Sequence, residues 1–241
     1  MSQPIFPTVL AVETATQACS VALIYKGQEF IRHEILPQKH AHRVLEMVDE
    51  VIAESGASSD EIDLLAYGEG PGAFTGVRIA SGVIQGLALG WDKPVLAVSS
   101  LLAMAESVLI DRYSESDVNW CALLDARMKE IYLLVGTYQS ADNLINSNEP
   151  VLIAPDAIGD YLDSSKTYIG IGDTQEEYPE LNNSFVDWYS SLPSAVSIAR
   201  LAQKKSAEAK SLDKAIPNPL YLRNQIADTI AERKLKKECK T

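Results

Sequence analysis

The chain has 241 residues, of which 46% are hydrophobic and 22% are charged, and its formal net charge is −12. This composition is typical of a globular protein with a buried core, and it excludes disordered and fibrous proteins. The negative charge repels nucleic acid, so we expect RNA or DNA to be contacted only where a partner supplies a positive surface.

The first elements follow one another without a long linker. Three strand patterns lie between Thr8 and Leu36, and the short turns between them predict an antiparallel meander. The apolar stripe from His40 onward predicts an amphipathic helix that Gly56 ends. We then predict a strand, a helix, a strand and a second helix over residues 62–68, 74–90, 94–99 and 100–113, with Ser99 or Ser100 as the last helix's N-cap.

A second strand pair is predicted over residues 118–138, around the turn 126–129. Glu13 ends the first strand of the first pair and Asp125 ends the first strand of the second, which suggests an internal repeat. The remaining pattern predicts a helix, a strand, a long irregular span and a helix over residues 155–163, 167–172, 173–193 and 195–209.

The stretch from Ala66 to Gly90 holds more than half of the chain's 13 glycines. No Gly-Lys-Ser/Thr follows, so it is not a P-loop. Its formal match to a dinucleotide fingerprint at Gly68, Gly70 and Ala73 fails, because the acidic residue about 20 positions later, Asp92, precedes the next strand instead of ending it. We therefore interpret the loop as a tight turn before a helix that Thr75 caps, although an anion could bind there.

Within the predicted helix, Gly82, Gly86 and Gly90 recur every four residues. Each glycine costs about 0.5–1 kcal/mol relative to alanine in a helix, so close packing of a neighbour must offset the cost. The neighbour is either another part of the same lobe or another chain. An apolar row lies beside the glycines, formed by Ile79, Val83 and Leu87.

Metal and nucleophile motifs are weak. His40 and His42 are two positions apart, and no third ligand lies near them in the sequence. The cysteines, Cys19, Cys121 and Cys239, have neither disulfide nor zinc spacing. We expect no metal, no cofactor and no catalytic residue, and only Glu13 and Asp125 remain as weak candidates for binding a metal-phosphate group in a cleft between two lobes.

Four segments together resemble the TsaB family, also called YeaZ, of bacterial tRNA-modification proteins: residues 10–27, 65–90, 123–134 and 219–224. The resemblance implies an α/β fold with two lobes, the duplicated RNase H-like architecture of actin, sugar kinases and Hsp70. The implied division is an N-terminal lobe over 1–110, joined by a C-terminal helix at about 195–225, a smaller lobe over 111–194, and a basic tail over 225–241. Neither a membrane segment nor a signal sequence is recognised, and we expect a cytoplasmic protein.

The resemblance also implies a function within a complex. Members of the family bind TsaD, the catalytic subunit, which transfers threonylcarbamoyl to N6 of the adenosine beside the anticodon, and the ATPase TsaE resets the complex. We expect this chain to have no activity of its own, to contact tRNA only through the complex, and to form a homodimer when alone. Its histidines do not form the HxxxH metal site of TsaD, and Glu13 stands where many relatives of this fold have Asp.

The implied partner surface consists of two helices of the first lobe. Its expected residues are Val44, Leu45, Val48, Val51, Ile79, Gly82, Val83, Gly86, Leu87 and Gly90. The alternative from another class is an enzyme, either a glycoprotease-like peptidase that acts on the partner or a small-molecule kinase, and either one would use the cleft.

Overall fold

The structure, a computed structural model, describes residues 6–223 and consists of two β-sheets with helices. The first half contains β1 Val9–Glu13, β2 Ala18–Tyr25, β3 Gln28–Ile35, α1 His40–Ser55, β4 Leu64–Gly70, α2 Phe74–Trp91, β5 Val95–Ser99 and α3 Ser100–Arg112. The second half contains β6 Val118–Arg127, β7 Glu130–Gln139, β8 Leu144–Ser147, β9 Val151–Ile153, β10 Tyr168–Gly172, β11 Asp187–Ser190 and α4 Ala195–Lys204. Short 3₁₀ helices cover Ser59–Glu61, Ser140–Asp142, Pro155–Tyr161, Pro179–Ser184 and Ser206–Glu208.

The first sheet has the strand order β3-β2-β1-β4-β5. The predicted meander is confirmed, since β1 pairs antiparallel with β2 and β2 pairs antiparallel with β3. β4 then pairs in parallel with β1, and β5 pairs in parallel with β4. α1 and α2 supply the crossovers between these parallel strands, as parallel neighbours require.

The second sheet repeats this topology. Its order is β8-β7-β6-β10-β11, with two antiparallel pairs followed by two parallel pairs, and β9 adds to β7. The same sequence of pairings in both halves confirms the predicted internal repeat and the predicted two-lobed α/β architecture. The short strands β8, β9 and β11 were not predicted, because three or four residues are too few to show a period.

Helices differ between the halves. The first sheet has long α1 and α2 crossovers, whereas the described part of the second half has only short 3₁₀ helices at the corresponding connections, Pro155–Tyr161 and Pro179–Ser184. The helix predicted over 155–163 is one of these 3₁₀ helices and not an α-helix, and only Ile158 in it is buried. The last helix ends at Lys204 and not near 209, since its buried positions end at Ala202.

Three apolar clusters hold the layers together. α1 and α2 cover one face of the first sheet, while α3 and α4 lie between the two sheets and form the largest core with both. The third cluster covers the far face of the second sheet, against the 3₁₀ turns. One outer layer of the molecule is therefore the α1–α2 pair.

The start of α2 is pressed against the β1–β2 turn. A Cβ at Gly76 would lie 2.0 Å from the carbonyl oxygen of Thr14, and one at Gly72 would lie 2.4 Å from that of Ala15. The backbone N–H of Ala73 donates to the Ala15 oxygen at 2.7 Å. Ala73, not Thr75, is the N-cap and no side chain caps the helix, so the predicted role of Thr75 is wrong.

Some of the predicted features lie wholly or partly outside the described residues. The predicted basic tail, 225–241, lies outside the described residues, as does Cys239. The described part of the predicted C-terminal helix is α4 and a chain that continues irregularly to Arg223. Within residues 6–223, no helix is both long enough and apolar enough to cross a membrane.

Candidate functional site

A cleft of about 1020 Å³ opens where the two β-hairpins face each other. One wall comes from the β1–β2 turn and the starts of α1 and α2, and the other comes from the β6–β7 turn. The polar side chains that line it are Thr16, Gln17, Gln38, His40, Thr75, Asp125, Arg127, Asp173, Glu176, Glu177 and Arg223. This is the place where the predicted site between the lobes would lie.

Glu13 does not line this cleft. Its side chain is 1% exposed and accepts hydrogen bonds from the Ala15 N–H at 2.5 Å and the Ser100 hydroxyl at 2.7 Å. Gly68 leaves room for it, because a Cβ there would lie 1.7 Å from Glu13 Oε2. Glu13 therefore joins β1, the adjacent turn and α3 inside the first lobe.

Asp125 does line the cleft, on the other hairpin. It accepts from the Arg127 N–H at 2.8 Å and pairs with the Arg127 guanidinium at 2.9 Å. The Tyr178 hydroxyl donates to the same carboxylate. The two predicted acids are thus not brought together, because Glu13 is enclosed in its own lobe. Among residues 6–223, no group of three or more His, Cys, Asp or Glu side chains is placed to hold a metal ion.

A C-terminal strap, residues 217–223, crosses the rim of the cleft. The Tyr67 hydroxyl bonds both the N–H and the carbonyl of Asn218, and the Leu220 N–H donates to the Glu69 carbonyl at 2.7 Å. At its end, Arg223 donates to the Ala126 carbonyl at 3.1 Å. The strap therefore ties the first sheet to the β6–β7 turn.

The predicted surface on α1 must be corrected. Val44, Val48 and Val51 are buried in the core between α1 and the first sheet, so no other chain can reach them. Leu45 lies on the flank of the same helix and is 52% exposed. Of the predicted α1 residues, only Leu45 remains available for contact with a partner.

The predicted row on α2 faces outward. Gly82, Gly86 and Gly90 are exposed, and a Cβ at any of them would meet no other atom within 4 Å. The interpretation that the glycines allow close packing within their own lobe is therefore wrong. Three neighbours on the helix are half-buried against the first lobe: Ile79, Val83 and Leu87. We call the exposed residues of α1 and α2 around this row the α1–α2 face.

Four further exposed residues, which the sequence pattern did not indicate, lie at or beside this face. Leu89 is 78% exposed and projects next to the glycines. Arg78 and Phe74 lie four and eight positions before Gly82, respectively, and Tyr221 of the strap contacts both. The four-residue spacing back from Gly82 was the available signal for Phe74 and Arg78.

The burial of Glu13 gives a pH-dependent prediction. Burial raises the pKa of Glu13 above its ordinary value of 4.5, and the hydrogen bonds from Ser100 and Ala15 oppose this only in part. The folded chain then keeps a proton that the unfolded chain has lost, so the carboxyl lowers stability as the pH rises from 4.5 through its folded pKa. We expect Glu13→Gln to become more stable relative to the wild type over that window, as measured by urea unfolding at a series of pH values.

A second variant checks the cause. Ser100→Ala removes a hydrogen bond that lowers the pKa of Glu13, so its loss of stability with rising pH should continue to a higher pH than that of the wild type. A Glu13→Gln difference that stays constant from pH 4 to pH 8 would contradict the assignment of a raised pKa.

Comparisons with known proteins agree on proteins of tRNA threonylcarbamoyladenosine biosynthesis. The family model of TsaD, tRNA N6-adenosine threonylcarbamoyltransferase, matches residues 30–210. Two proteins named tRNA threonylcarbamoyladenosine biosynthesis protein TsaB, from Haemophilus influenzae and Escherichia coli, are each 35% identical to the chain. The matches cover 91% of the chain and 94% and 96% of those proteins, respectively.

Solved structures from Pseudomonas aeruginosa show the same fold. YeaZ from that organism is 36% identical with a TM-score of 0.77, and a second structure, described as similar to peptidase YEAZ, is 36% identical with a TM-score of 0.79. Each match covers 90% of the chain and 100% of the solved chain.

Proposed function

The chain belongs to the TsaB family of tRNA threonylcarbamoyladenosine biosynthesis proteins, and from this we propose that it is the partner subunit that binds and activates a TsaD-type catalytic subunit. Its part in the biosynthesis of threonylcarbamoyladenosine in tRNA follows from the family. In the proposed complex, the TsaD-type subunit transfers threonylcarbamoyl to N6 of the adenosine beside the anticodon. This chain contributes binding and no catalytic residue.

The observation that carries the proposal is the open glycine row on α2. Three glycines in an exposed helix each cost about 0.5–1 kcal/mol relative to alanine. None of them has a left-handed backbone, and a Cβ at any of them would meet nothing within 4 Å in the described chain. The fold of the isolated chain gives no reason for glycine at these positions, whereas a second helix could lie almost against the α2 backbone there.

The rest of the α1–α2 face supports the same partner. Leu45 and Leu89 project as exposed apolar side chains on either side of the row, as expected of an interface. The family model that matches this chain is that of the transferase itself, so the partner has a related fold. Two related chains can pair through corresponding helices, and for the same reason we propose a homodimer when the partner is absent.

Further parts of the proposal concern the larger assembly. A TsaE-type ATPase joins the complex. This chain contacts tRNA only as part of the complex, which agrees with its net charge of −12. The buried free thiols Cys19 and Cys121 agree with a location in the cytoplasm.

The direct test mixes the purified chain with its cognate TsaD-type subunit at micromolar concentration. We expect a 1:1 complex by size-exclusion chromatography with light scattering. We also expect transfer to tRNA, with threonylcarbamoyl-adenylate supplied, to require both chains. The absence of a complex would contradict the proposal. Tight binding of ATP and Mg²⁺ to the isolated chain by calorimetry, lost in Asp125→Asn, would favour the enzyme alternative, in which the cleft performs catalysis.

A further inference from the structure

Two large exposed side chains, Phe74 and Arg78, precede the glycine row at the N-terminal end of α2. Phe74, Arg78, Gly82, Gly86 and Gly90 are spaced by four residues and therefore form one ridge, which is inclined to the helix axis and turns by about 40° per step. All five are exposed. A helix that lies close to the backbone along the three glycines meets the Arg78 side chain at the N-terminal end of α2.

Arg78 is held in a fixed position by two aromatic residues. Its guanidinium carbon lies 3.5 Å from the centre of the Phe74 ring and 5.5 Å from that of Tyr221, while the two ring centres are 5.8 Å apart. Its Nε donates to the Tyr221 hydroxyl at 2.7 Å. Only Nε is used, so the two terminal nitrogens stay available and already oriented.

Arg78 lacks a carboxylate within the described chain. Most other described arginines, namely Arg32, Arg43, Arg127, Arg200 and Arg223, form ion pairs with Asp or Glu. Residues 6–223 provide no such partner for Arg78, although the whole chain has 33 acidic residues. An oriented, exposed and unpaired arginine between aromatic rings has the composition of an interface hot spot.

We propose that Arg78 binds a carboxylate on the helix of the TsaD-type partner that lies along the glycine row, and so fixes the register of the complex. This inference rests on the proposed function. The planar guanidinium binds a carboxylate through two parallel hydrogen bonds, and the first turn of α2, which has no acidic residue, adds favourable dipole potential.

Charge along the rest of the face restricts where the carboxylate can lie. α1 packs beside α2 and exposes Asp49, which repels a partner's acidic side chain, whereas Glu46 and Glu54 on the same helix are paired with Arg43 and Arg32. A partner helix with its acidic residue at Arg78 and basic residues beside α1 fits in one direction only. Arg78 therefore determines the orientation of the partner helix as well as the affinity of the complex.

A protein carboxylate fits better than an RNA phosphate. Glu176 and Glu177 line the same cleft as Phe74 and Tyr221, and the chain's net charge is −12, so a polyanion is repelled where one carboxylate is not. Arg78 also adjoins Gly82 on the same ridge of α2, and the glycines of that ridge have no side chain with which to bind a phosphate backbone.

The test measures the affinity of the full chain for the cognate TsaD-type subunit by calorimetry. We expect Arg78→Ala to weaken binding about tenfold or more, which is about 1.4 kcal/mol. Arg78→Lys keeps the charge but loses the planar geometry, so we expect a loss between those of the wild type and Arg78→Ala. Tyr221→Phe removes only the hydroxyl that orients Arg78, and about a threefold loss is expected.

The matched control is Arg112→Ala. Arg112 is likewise exposed and without an ion pair among the described residues, but it lies at the end of α3. Arg112→Ala should change the affinity for the TsaD-type subunit less than twofold, and all variants should keep the wild-type melting temperature. Wild-type affinity of Arg78→Ala would overturn the inference while the proposed function stands. Loss of tRNA binding by an otherwise intact complex would assign Arg78 to phosphate instead, and no complex for the wild type would overturn both proposals.

Discussion

Gly86→Leu should weaken binding to the TsaD-type subunit by about 10- to 100-fold. The new side chain projects from the centre of the glycine row into the space that the partner's backbone occupies, and an overpacked contact costs about 1–3 kcal/mol, occasionally more. The isolated chain should become more stable by about 0.5–1 kcal/mol, because a leucine replaces glycine in an exposed helix interior with nothing within 4 Å. Calorimetry and urea unfolding measure the two effects.

The matched control for this variant is Gly159→Leu. Gly159 is also exposed with open space around its missing Cβ, but it lies in a 3₁₀ turn of the second half. Its affinity for the partner should stay within twofold of the wild type. If Gly86→Leu destabilises the isolated chain as much as it weakens the complex, the row serves the chain's own packing and the proposed face is wrong.

Gly76→Ala, in the same helix, should have the opposite effect on stability and lower the free energy of unfolding of the isolated chain by about 2–3 kcal/mol. The added methyl lies 2.0 Å from the carbonyl oxygen of Thr14, which is backbone and cannot rotate away. The start of α2 and the β1–β2 turn must then separate, and the Thr14 hydroxyl loses its bond to the Gly76 carbonyl at 2.8 Å. For a chain of this size we expect the melting temperature to fall by about 4–12 °C.

Gly82→Ala is the internal control, since it makes the same change six residues further along α2. It should raise the melting temperature slightly, because the methyl meets open space and alanine favours the helix. Equal melting temperatures for the two variants would show that the α2 start can move away from the turn at little cost.

Sequence patterns predicted most of the first half correctly. The meander, α1 with its end at Gly56 and the long α2 each have enough residues to show a period, and Gly56 adopts the left-handed conformation that ends α1. The repeat was visible from two hairpins alone. The short strands of the second half depend on pairing with residues far away in the chain, which no local pattern records.

The candidate site was less predictable. Val44 and Leu45 are neighbours on one broad apolar stripe, but the sheet covers the first and leaves the second exposed. Periodicity shows that a helix has an apolar side, and it does not show whether the same chain or another one covers it. The contact between Arg78 and Tyr221 joins residues 143 positions apart, so only the folded chain shows it.

The loss of helices from the second half limits how subunits assemble. Where the first half has α2, the described second half has only the short 3₁₀ helix Pro179–Ser184. The second half therefore has no counterpart of the α1–α2 face among the described residues. Once the single α1–α2 face is covered by a partner, no equivalent surface remains in the described chain for a further subunit. Association through this face therefore stops at pairs, and growth into filaments would require a different contact.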